Sequence, residues 1–100
     1  GADKDKADED DNTALLLASG WGRLEVVRML CEAGADKDKA NRDGTTPLNL
    51  ASGERRLEVV RVLCEAMADK DKQDWRGNTP MMTASSKGHL EVVRLLCEAG

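Results

Sequence analysis

The strongest constraint in this 100-residue chain is a period of 33. The string ADKDK stands at Ala2–Lys6, Ala35–Lys39 and Ala68–Lys72, and LEVVR stands at Leu24–Arg28, Leu57–Arg61 and Leu90–Arg94. Aligned as blocks 1–33, 34–66 and 67–100, the chain agrees in all three copies at seventeen of 33 positions. A period of this size implies a linear array. Each unit is too small to bury its apolar face alone and must pack on the units beside it.

Every block carries the same punctuation. Thr13, Thr46 and Thr79 suit a helix N-cap, because the hydroxyl accepts from a free N–H of the first turn. Pro47 and Pro80 follow at the first helical position, where a missing N–H costs nothing. A short helix of about two turns then runs through the Ala-Ser pair and breaks at Gly22 and Gly88, since Gly tolerates a left-handed turn. A second helix begins at Leu24, Leu57 and Leu90. Leu24, Val27 and Cys31 share one face, with Val26 and Leu30 beside them, and Glu25, Arg28 and Glu32 point outward. Gly34 is placed to end that helix, and the polar stretch from ADKDK to the next Thr turns the chain back. The expected fold class is all-α, one domain of three helix-turn-helix units over residues 1–100.

The segments DGTTPLNLASGERRLEVVRVLCEA and RGNTPMMTASSKGHLEVVRLLCEAG resemble ankyrin repeats. That family has a period of 33, opens its first helix with T-P-L-H, and typically reads G-H-L-E-V-V and L-L-x-x-G-A-D through and after the second. The resemblance spans the whole chain. It implies an ankyrin-repeat solenoid: antiparallel helix pairs stacked side by side, with β-turn arms projecting from them. It also implies recognition of a protein partner through the arm tips and the concave face of the first helices. Some positions depart from the pattern. Leu16, Asn49 and Met82 replace the His of T-P-L-H, which removes a hydrogen bond that braces the helix start, and Ala14 replaces the Pro. Asp11, Arg55 and Met67 stand where other blocks have Gly. If the backbone is unchanged, each holds a left-handed turn at a cost of about 1 kcal/mol. The terminal blocks keep the apolar pattern of the middle one, so exposed apolar surface at both ends and end-to-end self-association are expected.

Composition narrows the chemistry. There is no Phe or Tyr and there are only two Trp, so the core must be built from Leu, Val, Ala, Met and Cys. A net charge of −4 argues against nucleic acid as a partner, which wants a basic face. No apolar run approaches the ~18 residues of a membrane span, and no signal-peptide pattern appears. The chain opens GADKD without an initiator Met, as expected of a segment of a longer array. Cys31, Cys64 and Cys97 lack a Cys-x-x-Cys partner and fall on the core face. They read as reduced, buried hydrophobes of an intracellular protein, cytoplasmic or nuclear.

Metal and catalytic readings fail on the same residues. Asp3 and Asp5 have the spacing of a calcium-loop start. The loop's Gly is replaced by Asp8, Asn41 or Asp74, and its final Glu by Ala14, Pro47 or Pro80. His89 is the only histidine, at a position where the family commonly has one, and reads as structural. No nucleophile motif or phosphate-binding glycine loop is present. The expectation is therefore no enzyme, no cofactor and no metal. ADKDK reads as an extended, charge-alternating arm whose stacked copies set Asp beside Lys, each exposed pair contributing ~0.2–1 kcal/mol.

Candidate recognition residues are those that differ between blocks. They concentrate at the arm tip and at the end of the first helix. Trp21 has Glu54 and Lys87 as counterparts, and Trp75 has Glu9 and Arg42. A core Trp would recur, so both tryptophans are expected to be exposed, and Trp and Arg dominate binding hot spots. The first block holds eight acids against four bases, while the other two are balanced. Its run Asp8–Asp11 is a solvated turn or a contact for a basic segment. The expected partner-binding set is Glu9, Asp10, Trp21, Arg42, Asp43, Glu54, Trp75, Arg76 and Lys87. The alternatives are a spacer within a longer array and a targeting module of an attached enzyme.

Overall fold

The computed structural model describes residues 3–99, so Gly1 and Ala2 of the first ADKDK copy and the final Gly100 lie outside the described residues. Six helices follow one another: α1 Ala14–Trp21, α2 Leu24–Glu32, α3 Pro47–Gly53, α4 Leu57–Glu65, α5 Pro80–Ser86 and α6 Leu90–Ala99. Each first helix packs on the second helix of its own repeat. Across repeats, α1, α3 and α5 form one row and α2, α4 and α6 another, in a body of 40 × 26 × 20 Å.

The caps form as the threonines predict. Thr13, Thr46 and Thr79 accept from the N–H of Leu16, Asn49 and Met82 at 3.2, 3.1 and 3.3 Å. Helix ends also repeat. Arg23, Arg56 and His89 donate their N–H to Ala18, Ala51 and Ala84, and Ala35 and Ala68 donate to Leu30 and Leu63. These closures need a left-handed residue just after the helix. Gly22, Gly88 and Gly34 supply it at φ 73, 71 and 84°. The three replacements adopt the same conformation, Asp11 at 65°, Arg55 at 59° and Met67 at 67°. The backbone is unchanged and the strain is present.

The core is Leu15, Leu48, Val27, Val60, Leu63, Val92 and Leu96, with alanines where the helices approach closely. Nothing aromatic is in it. Two sequence expectations need correction. Cys97 is exposed on the outer face of the third repeat, and Cys31 and Cys64 are only half-buried. For Cys31 and Cys64, burial pushes the thiol above its usual value, opposed by Lys37 and Lys70 respectively. Both therefore stay protonated and unreactive near neutrality.

The second correction concerns ADKDK, which is a turn and not an extended strand. In each copy the first Asp carboxylate accepts the N–H two residues on, from Asp5, Asp38 and Asp71 at 2.9, 3.0 and 2.9 Å. The second Asp accepts across the junction: Asp5 from the Asp36 N–H and Asp38 from the Asp69 N–H, both at 2.8 Å. The second Lys reaches back to the same residue's carbonyl, Lys39 to Asp5 at 3.2 Å and Lys72 to Asp38 at 3.0 Å. The first Lys lies near the end of the second helix in two of the copies. Lys70 donates to the Ala99 carbonyl at 2.9 Å, and Lys4 lies over Gly34. Acids and lysines satisfy backbone groups rather than one another. The ion pairs among the described residues are the exposed helical pairs Arg28–Glu25 and Arg94–Glu91.

Candidate functional site

Each arm ends in a tight hairpin built by one side chain. Asp8, Asn41 and Asp74 each use one side-chain oxygen to accept two backbone N–H groups, two and four residues on, at 2.9–3.0 Å. Asp8, part of the acidic run, is thus framework, doing as a carboxylate what Asn41 does as a neutral amide. The Asn12 N–H, helped by the Asn12 amide and the Asp10 N–H, holds the Asp8 carboxyl below the usual carboxylate range. A depressed acid contributes stability above its unfolded value and loses it as pH falls through the folded one, so this tip keeps its shape at neutral pH.

The tips are joined in series. Arg42 donates its N–H to the Asp10 carbonyl and Trp75 to the Asp43 carbonyl, both at 3.0 Å. The Arg42 guanidinium adds a bond to the Glu9 carbonyl at 2.7 Å. Backbone bonding leaves the Glu9, Asp10 and Asp43 side chains in solvent. Trp75 is 70% exposed, and the Arg76 guanidinium sits 5.7 Å from its ring centroid.

The first-helix positions lie across a groove from the tips. Trp21 is 67% exposed and lines an apolar hollow with Leu17, Leu50, Glu54 and Arg56. Glu54 also lines the adjoining, more polar hollow of about 260 Å³, with Asp74, Arg76, Asn78, Thr83 and Lys87. Sharing Glu54, the two hollows join Trp21, Glu54, Arg76 and Lys87 into one surface. Lys87 is additionally tied to the Gly53 carbonyl at 3.2 Å. Arg42 and Lys87 therefore brace neighbouring repeats as well as facing solvent.

Sequence reasoning missed Asn49. It is buried, donates to the Asn78 carbonyl at 2.9 Å, and accepts from the Thr83 hydroxyl at 2.9 Å. The bond expected to be lost with the T-P-L-H histidine is thus replaced at the second junction. At the first junction the same two places are Leu16, which is buried, and Leu50, which packs onto Gly20. One junction is apolar on both sides and the other polar on both sides. The signal in the sequence was that positions 16 and 50 change together with 49 and 83.

His89 has the structural role expected of it: its Nδ1 lies 3.1 Å from the Ser52 carbonyl, at the end of the preceding first helix. Arg56 does the same for Gly20 at 3.0 Å.

The sequence matches a family model described as ankyrin repeats, in three copies, over residues 1–74 and 38–100. No curated protein matches the chain.

Proposed function

Because the chain belongs to the ankyrin-repeat family, whose members generally serve as protein–protein interaction modules, we propose that its 100 residues act as one non-enzymatic protein-binding domain. The proposed surface runs from the arm tips (Glu9, Asp10, Arg42, Asp43, Trp75 and Arg76) to the ends of the first helices (Trp21, Glu54 and Lys87). The observation that carries this reading is the exposure of both tryptophans, Trp21 lining the apolar hollow and Trp75 standing on the arm tip between Asp74 and Arg76, which line the polar one. Elsewhere the side-chain hydrogen bonds cap the helices, shape the arm tips and register one repeat against the next. Neither tryptophan belongs to the core, and a solvated Trp next to a cleft gains most from a partner. The groove is held by bonded tips and capped helices, so binding orders little chain.

The partner's chemistry follows from the lining. An apolar side chain suits the hollow beside Trp21, and a segment carrying both charges suits Glu54, Lys87 and Arg76. No helix of the described residues is long and apolar enough to cross a membrane. Peptides selected for binding to the immobilised chain are expected to bind Trp21→Ala and Trp75→Ala about 2 kcal/mol more weakly, with far-UV helicity unchanged. Equal affinity for both variants and the parent would overturn the assignment.

A further inference from the structure

The two ends of the stack are complementary halves of one interface. In the middle repeat, Val59 and Val62 are 2% and 9% exposed, whereas their counterparts on α2, Val26 and Met29, are 46% and 69% exposed. Leu17 is open on α1 as well. At the other end Met82, Leu90 and Cys97 are exposed, with Leu90 at 64%. Their counterparts Asn49, Leu57 and Cys64 are covered or half-covered by the third repeat. The first repeat therefore presents the face that receives a preceding unit, and the third presents the face that receives a following one. An open hollow lined by Lys70, Thr79, Met81, Leu96 and Cys97 marks the third repeat's end. The equivalent Thr46, Leu48 and Leu63 are buried inside the stack.

We propose that a second copy of this chain covers each open face, head to tail, in the register that already joins the repeats. Three features favour this occupant. The first is that the polar groups match one for one. Both internal junctions use an Asp N–H on the preceding Asp carboxylate, a Lys on that residue's carbonyl, and Arg56 or His89 on the end of the preceding first helix. Asp3, Lys6 and Arg23 carry those donors at one end, and Asp71 and the end of α5 carry the acceptors at the other. Second, the facing pair would be Met82 against Leu17, apolar on both sides like Leu16 and Leu50. Third, the acidic tip Glu9–Asp10 would lie beside Arg76, opposite in charge. Ser86 stands where the first junction has Gly20, so the flexible end of Leu17 turns aside to fit. The contact is heterologous and repeats by stacking, so it yields an open row and not a closed dimer.

Sedimentation velocity under reducing conditions tests this, with Met29→Glu blocking one face and Leu90→Glu the other. Both positions are exposed, and circular dichroism confirms that each variant folds. The parent chain's average mass is expected to climb with concentration past roughly twice that of the monomer without levelling off. Each variant alone stays monomeric. An equal mixture forms dimers and nothing larger, because only one intact pair of faces remains. A parent that stays monomeric, a single variant that still pairs, or a mixture that fails to pair would each overturn the proposal.

Discussion

Replacing Asp11, Arg55 and Met67 together by glycine is expected to raise the unfolding free energy by about 3 kcal/mol. For a chain of this length that moves the melting temperature up by roughly 10–20 °C. All three residues sit at positive φ, at positions where the described sister copies carry Gly in the same conformation. An L-residue in this region brings its Cβ against the following carbonyl at a cost of about 1–2 kcal/mol. Glycine avoids that and gives back part of the gain as unfolded-chain entropy. Little packing is lost, since all three residues are exposed. The increments should add, because the sites fall in different repeats and at different turns. Arg55→Gly and Met67→Gly should each exceed Asp11→Gly, since a short acid tolerates the left-handed region better. Thermal and denaturant unfolding check this, and unchanged midpoints would contradict it. The reverse change is most damaging at Gly44, where an added Cβ would lie 2.9 Å from the Trp75 backbone nitrogen.

Asn49→Ala is expected to destabilise the chain by about 2–3 kcal/mol. It removes two inter-repeat bonds at once, leaving the Thr83 hydroxyl without its acceptor and the Asn78 carbonyl with the Asp74 N–H alone, beside a small void. The informative comparison is Asn49→Leu, Thr83→Leu and the pair together. Each single change sets a leucine against a polar group. The double change recreates the chemistry of the first junction and should recover most of the loss, giving a coupling of about 1–2 kcal/mol in a double-mutant cycle. Additive losses would mean that the two residues do not act as a unit. The polar junction also differs in chemistry from the first, where Leu50 packs onto Gly20.

Most of the skeleton is legible in the sequence for a local reason. A Thr, before Pro in the second and third blocks and before Ala14 in the first, and a Leu two places after a Gly or its substitute set the helix starts at the observed boundaries. The left-handed turns are legible for the same reason: a Gly in one copy reveals the geometry that Asp11, Arg55 and Met67 must share. What failed was long-range or degenerate. Alternating charge in ADKDK fits a strand of period two equally well as an Asx turn, and only the neighbouring repeat's N–H decides between them. Cys97 has nearly the same flanking sequence as Cys64 yet is exposed, because Cys64 lies beside the third repeat and Cys97 on its outer face. Asn49 was read by what its residue type lacked, whereas its partner Thr83 lies 34 positions on. In the proposed site, the variable positions identify the surface. Sequence comparison could not show that Arg42 and Lys87 also brace neighbouring repeats.

The proposed division of labour sets side chains that hydrogen-bond across the junctions, shared and variable alike, against two solvated tryptophans that would meet a partner. Intrinsic fluorescence reads it directly, because the chain has two Trp and no Tyr. In single-tryptophan variants of the free chain, Trp21 and Trp75 should each be quenched by acrylamide nearly as well as in the unfolded protein. Both should be shielded and blue-shifted when a selected peptide binds. Tryptophans already shielded in the free chain, or a bound peptide that leaves both as accessible as before, would contradict the account.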